Sequence, residues 1–157
     1  MATDQWTPRV ATVDDADEVA RLLHDFNTEF DTPSPGASVL GARLRDLLAG
    51  DQTIAILAGS PAVAVALVTL RPNVWYAGAV ALLDELYVVP ELRDRGIGSA
   101  IIAELMAIAG RRGVDLLEIN VDEGDVDAQR FYERHGFAAT EPGSTERAFY
   151  YSQELAG

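Results

Sequence analysis

The chain has 157 residues, with twelve arginines, no lysine, twenty-five acids, two histidines and no cysteine, for a net charge of −13. That length fits about one domain with a real core. The composition excludes a disulfide scaffold, a cysteine-ligated metal or iron–sulfur site and a cysteine nucleophile, and two histidines argue against a His-rich metal site, so no metal is expected. No apolar run approaches the ~18 residues of a membrane span. The polar opening, Met1–Arg9, has no apolar signal core, so the cytoplasm is the expected compartment. The acidic field repels nucleic acid and anionic membranes, so neither is expected as a partner, and it attracts cationic small molecules.

Arg9–Val13 reads as a first strand. Asp14 is the expected N-cap of a helix, with Asp15, Asp17 and Glu18 in its first turn and Val19, Leu22, Leu23, Phe26 and Phe30 on its buried face. Thr32–Ser38 is a Pro/Gly/Ser-rich loop, and Leu40, Leu44, Leu47 and Leu48 mark a second helix that Gly50 ends. Three strands follow, Thr53–Ala58, Ala62–Arg71 and Ala79–Val88. The turns Gly59–Pro61 and Pro72–Gly78 are short enough to make them antiparallel neighbours. Gly98–Arg111 is an amphipathic helix with Ile97, Ile101, Ile102, Leu105 and Ile108 on one stripe, closed by Gly113. Leu116–Val121 is a strand, Ala128–His135 a short helix, and Phe137–Thr140 and Arg147–Gln153 two last strands. No linker or repeat divides the chain, so residues 1–157 are expected to form a single domain. The fold class is α/β, a mixed and mostly antiparallel sheet with a right-handed βαβ crossover through the Gly98 helix.

The segment from Asp84 to Ser99, D-E-L-Y-V-V-P-E-L-R-D-R-G-I-G-S, runs from a strand through a loop into a helix. A helix start has unpaired N–H groups and a partial positive charge, so it suits an anion. Gly96 and Gly98 let the backbone approach a ligand and permit positive φ, and Arg93 and Arg95 add charge. Amides from Asp94 to Ser99 are thus placed to cradle a diphosphate. This is not the dinucleotide fingerprint, whose third glycine is replaced by Ile101, and it is not a P-loop, since no G-K-[ST] follows.

The spacing L-x-V-x-P-x-x-R-x-x-G-x-G on Leu86, Val88, Pro90, Arg93, Gly96 and Gly98 precedes A-x-x-F-Y-x-x-x-G-F on Ala128, Phe131, Tyr132, Gly136 and Phe137. With the element order from Arg9 to Gln153, this resembles the GNAT superfamily of acyl-CoA-dependent N-acetyltransferases. The resemblance implies a central parallel strand pair that splays, flanked by helices, and acetyl-CoA as cosubstrate. It implies that Leu86, Tyr87 and Val88 bind pantetheine through main-chain atoms, and that Asp94, Arg95, Gly96, Ile97, Gly98 and Ser99 wrap the diphosphate with Arg93 beside them. An N–H near Val88 would then stabilise the thioester carbonyl. Asp125 stands where the family often has a cofactor-contacting Asn, and an ionised Asp cannot donate. The resemblance also points toward a homodimer.

Tyr132 matches the family's tyrosine near the CoA sulfur and is the candidate general acid, with an aromatic pair packing the helix as the alternative. Glu85 is the candidate base; a period-2 reading puts Glu85, Tyr87 and Val89 on one strand face and Leu86 and Val88 on the other. Asp84, Glu118 and Asp122 are lesser options, and Glu118 would instead bind substrate beside Asn120. Trp75 and Tyr76, loop aromatics, are candidates for an acceptor pocket. His135 reads as a helix C-cap before Gly136, and His24 as a solvated residue on the first helix. The function these residues imply is acetyl transfer to a primary amine of a small cationic acceptor, by direct attack. The alternatives are a protein N-terminal or lysine acetyltransferase, a non-catalytic CoA-binding module, and an interaction domain without cofactor.

Overall fold

A computed structural model describes residues 5–156. It separates into two compact units, Met1–Ile119 and Asn120–Gly157. The first unit holds a five-stranded sheet in the order β1-β2-β3-β4-β5. The strands are β1 (Arg9–Val10), β2 (Thr53–Ala58), β3 (Ala64–Arg71), β4 (Ala79–Val88) and β5 (Val114–Ile119). The first three pairings are antiparallel and β4–β5 is parallel. The helices α1 (Ala16–Glu29), α2 (Ala37–Ala49) and α3 (Ile97–Arg111) complete it. The expected α/β mixed, mostly antiparallel sheet with a parallel pair is therefore the fold.

β1 stops earlier than the sequence suggests, because the Thr12 N–H donates to the Asp15 carboxylate at 2.8 Å. That capping box turns the chain into a 3-10 turn, Val13–Asp15, so Thr12 and not Asp14 caps the helical segment. β3 begins at Ala64 rather than Ala62, because Glu18 of α1 takes the Ala62 N–H and Arg21 the Ala62 carbonyl at 3.0 Å.

Residues of one sheet face, Ala55, Leu57, Val65 and Tyr87, pack with Val19, Ala20, Leu22, Leu23 and Leu44 of α1 and α2. On the other face Ile54, Val68, Leu70 and Ala81 meet Leu105 and Ile108 of α3. The five-residue α3 stripe, Ile97, Ile101, Ile102, Leu105 and Ile108, is buried throughout, as its periodicity requires. Two expected core positions are corrected. Phe30 is 56% exposed at the end of α1, where it meets Phe26 edge-on, and Leu47 is largely exposed.

The second unit contains α4 (Val126–Arg134), capped by His135 and followed by Gly136 at φ +90°, as the sequence suggests. The strands expected at Phe137–Thr140 and Arg147–Gln153 do not form; both segments are irregular. Phe149, Tyr150 and Tyr151 have strand composition but lie exposed. Composition of this kind becomes a strand only against a ladder partner. β5 is consequently the last strand of the described sheet, and the parallel pair lies at its end, not at its centre.

Candidate functional site

β4 changes phase in its middle. Leu67 pairs with Glu85 and Val68 with Leu83, so Asp84 is the extra residue of a β-bulge. The pairing with β5 ends at Leu83, opposite Ile119. Beyond it, among the described residues, Glu85, Leu86, Tyr87 and Val88 pair only with β3, opposite Leu67, Ala66, Val65 and Ala64. One edge of β4 is thus left without a strand over those residues among the described ones. Main-chain groups on such an edge can receive an extended ligand as an added strand.

The open edge runs directly into the turn that precedes α3. After a 3-10 turn, Pro90–Leu92, Asp94 has φ +63° and Gly96, the N-cap of α3, has φ +82°. Among the described residues, no atom beyond its chain neighbours lies within 4 Å of where a Gly96 Cβ would stand, so the backbone there faces open space. Helix α3 starts at Ile97, and Gly98 lies inside its first turn, so left-handed backbone is required at Gly96 and not at Gly98. The amides of Ile97 and Gly98 have no intrahelical acceptor, and no acid lies in that turn to compete with an anion. Arg95 is exposed, with no ion pair among the described residues. Arg93 is engaged elsewhere: its Nη2 lies 2.8 Å from Glu29 Oε1, and its Nε donates to the Val88 carbonyl at 3.0 Å. These features fit a diphosphate with an extended arm.

The bulge also sets which side chains share a face. Through the register, Glu85, Leu67, Thr69, Leu82 and Glu118 lie on the face covered by α1 and α2. The covered part ends near Glu85. Thr69, Arg71 and Glu118 beyond it are exposed, and form an open polar shelf. On it the Thr69 hydroxyl donates to Asp84 Oδ2 at 2.5 Å, and Arg71 Nη2 lies 3.2 Å from Glu118 Oε1. Glu85 has no hydrogen bond or ion pair among the described residues. Partial burial raises its pKa above the ordinary glutamate value, and the neighbouring Asp84 charge adds to this. A half-buried carboxylate with a raised pKa on the open edge is suited to accept a proton. Tyr87, 5% exposed, stacks on Phe26 at 4.9 Å. Burial raises its phenol pKa, as does the adjacent Glu29 carboxylate.

Other candidates fall elsewhere. Trp75 is 86% exposed and Tyr76 nearly half exposed, in a loop organised by Asn73, whose Oδ1 accepts both of their N–H groups at 2.8 Å. That loop precedes Ala79, about 20 Å along β4 from Glu85 at ~3.3 Å per residue. The structure therefore does not bring the two aromatics to the open edge. His24 is not simply solvated, since its Nδ1 lies 2.8 Å from Ser34 Oγ. In the second unit, which begins at Asn120, the Asp125 carboxylate accepts from Ala128 N at 3.1 Å and caps α4. Its acceptor-only chemistry is used inside the protein. Tyr132 is 8% exposed and meets Phe131 and Phe137 edge-on. Sequence reading missed Glu29 and Arg71, whose partners lie 64 and 47 residues away. Among the described residues no His/Cys/Asp/Glu cluster of three could hold a metal, and no helix is long and apolar enough to cross a membrane.

The fold is thus a five-stranded mixed sheet whose parallel pair separates beside a glycine-capped helix. The acetyltransferase (GNAT) family model matches residues 16–137, and the chain belongs to that family. It is 30% identical over 120 residues to the aminoglycoside N(6′)-acetyltransferase type 1 of Serratia marcescens, covering 73% of this chain and 79% of that protein. It is 39% identical over 62 residues to an uncharacterized N-acetyltransferase of Methanocaldococcus jannaschii, covering 40% of this chain but 27% of that one. The crystal structure of a protein of Arthrobacter sp. FB24 classed as an acetyltransferase is similar at TM-score 0.89 and 53% identity, over 94% of this chain and 95% of that one. An aminoglycoside acetyltransferase from a soil metagenome has the same fold, with TM-score 0.79 at 16% identity over 99% and 100% of the two chains.

Proposed function

We propose that the protein transfers an acetyl group from acetyl-CoA to a primary amine of a small cationic acceptor. The observation that carries this is the edge of β4 from Glu85 to Val88, which loses β5 after Leu83 and leads straight into the turn capped by Gly96. The main-chain groups of Leu86 and the N–H of Val88 hold the pantetheine arm, and the amides around Gly96, with Arg95, hold the diphosphate. Bound there, acetyl-CoA supplies an activated acyl carbonyl.

The protein must then manage protons. A lysine-like amine with pKa near 10.4 is almost wholly protonated at pH 7, and freeing its lone pair costs roughly 4.6 kcal/mol. Glu85 accepts that proton, directly or through water, because its pKa is raised toward the working range. The neutral amine attacks the acyl carbon, the C–N bond forms and the C–S bond breaks; the thiolate takes a proton from Tyr132, and the second proton that the nitrogen loses on becoming an amide returns to the tyrosinate through water. With no cysteine in the chain, direct attack is the economical route.

The shelf of Thr69, Asp84 and Glu118 receives the rest of the acceptor, and Arg71 holds Glu118 in place. The acidic surface and the similarity to an aminoglycoside acetyltransferase both support a polycationic acceptor. Thiol release from acetyl-CoA, measured across polyamines, aminoglycosides and amino-acid amines, tests the proposal. Turnover is expected on at least one polyamine or aminoglycoside. Tight CoA binding with no turnover on any amine would instead mark a non-catalytic CoA-binding module.

A further inference from the structure

The two arginines of the turn are held differently. Arg95 is exposed without an ion pair among the described residues, whereas Arg93 is occupied on three sides. Its Nη2 is 2.8 Å from the carboxylate of Glu29, the last residue of α1. Its Nε donates to the Val88 carbonyl at 3.0 Å, and its guanidinium lies 5.7 Å from the centre of the Tyr87 ring. The Val89 N–H donates to Val63 across the β3 side at 2.9 Å. Because that peptide is planar and trans, the Val88 carbonyl points the other way, along the edge that β5 has left. Arg93 therefore fills the one acceptor at the end of that edge.

A planar guanidinium can grip a carbonyl and a carboxylate at a fixed angle, which an ammonium cannot. A cation already matched by a carboxylate at this distance is a poor attractor for a second anion. We propose that Arg93 is a positioning residue and not a phosphate ligand: Glu29 holds its guanidinium against the Val88 carbonyl, and this fixes the turn so that main-chain amides meet the diphosphate. Glu29, at the end of a helix outside the motif, thereby becomes part of the cofactor machinery. The inference rests on the reading of this turn as the CoA site.

The two roles predict opposite signs. Calorimetric titration with CoA and with pantetheine, which lacks the diphosphate, is made on Glu29→Gln, Arg93→Lys, Arg93→Met and the double variant Glu29→Gln/Arg93→Met. Thermal unfolding is checked first on each. For a positioning residue, Glu29→Gln weakens CoA about tenfold, as loss of a charge-assisted bond should. It weakens pantetheine as well, because the strand edge shifts. Arg93→Lys is no better than Arg93→Met, and the double variant no worse than Arg93→Met. In turnover the KM for acetyl-CoA rises by the same factor in Glu29→Gln, at an unfolding temperature close to that of the parent. Tighter CoA binding by Glu29→Gln, or rescue by Arg93→Lys with pantetheine affinity unchanged throughout, overturns the inference. A parent protein that binds neither CoA nor pantetheine overturns the reading of the turn itself, and this inference with it.

Discussion

Replacing Gly96 by alanine adds one methyl group at a residue with φ +82°, where no described atom beyond the chain neighbours stands within 4 Å of the new Cβ. Nothing is displaced, so the folding cost is that of left-handed backbone in an L-residue, about 1–2 kcal/mol. For a chain of this length about 1 kcal/mol lowers the unfolding temperature by roughly 2–4 °C. The protein therefore stays folded at room temperature. The methyl group projects into the space assigned to the diphosphate, so CoA affinity falls far more than stability does, by more than tenfold. Gly113 supplies a matched control. It has φ +67°, equally open surroundings and a position just beyond the other end of α3. Gly113→Ala carries a similar backbone cost with no bearing on the turn. Isothermal titration of both variants with CoA, after their unfolding temperatures are measured, isolates the ligand term. Equal CoA affinity in Gly96→Ala and Gly113→Ala would refute the assignment of the turn as the diphosphate site.

Three further outcomes are expected. Because the pKa of Glu85 is raised, its carboxylate protonates as pH falls through that value, so kcat/KM declines on the acid side, and Glu85→Gln loses both that limb and roughly a hundredfold in rate. The same shift has a sign for stability. The contribution of Glu85 is fully present below the ordinary glutamate pKa and is lost as pH rises through the raised one, so Glu85→Gln unfolds at higher temperature than the parent at neutral pH and not in acid. A parent-like pH profile in the variant removes Glu85 as the base. Asp125→Ala removes the cap on the Ala128 N–H, costs about 1 kcal/mol and speeds amide exchange at Ala128, while Asp125→Asn retains most of the cap. Unchanged exchange at Ala128 argues against that cap. Tyr132→Phe lowers kcat tenfold or more with CoA affinity unchanged if its hydroxyl protonates the thiolate; equal kcat assigns the residue to packing alone.

Local signals show clearly where side-chain periodicity meets a continuous element. The isoleucine stripe of α3, the left-handed glycines at 96 and 136 and the antiparallel succession β2-β3-β4 follow from residue type and spacing. The motif from Leu86 to Gly98 marks the turn in the sequence, because only glycine adopts the backbone that Gly96 requires without strain. Boundaries were less legible. β1 and β3 are trimmed by Asp15, Glu18 and Arg21, whose bonds reach across the fold or compete with the ladder. The aromatic run Phe149 to Tyr151 reads as a strand but pairs with nothing in the described ladder.

By itself the sequence determined the family, the glycine-capped turn before α3 and the residue types available for proton transfer, because these depend on local spacing and on the chemistry of single side chains. Only the tertiary structure decided which of them share a surface. The bulge at Asp84 is invisible in a strand of mixed hydrophobic residues, yet it reverses the alternation of β4. Ala81 and Leu83 go to one face, and Glu85 and Tyr87 to the other with Glu118. Likewise, Arg93 reads as a phosphate ligand in isolation, and the fold sets its guanidinium against the Glu29 carboxylate. Register and long-range ion pairs are properties of the closed chain, since they depend on residues far apart in sequence being brought within a few ångströms.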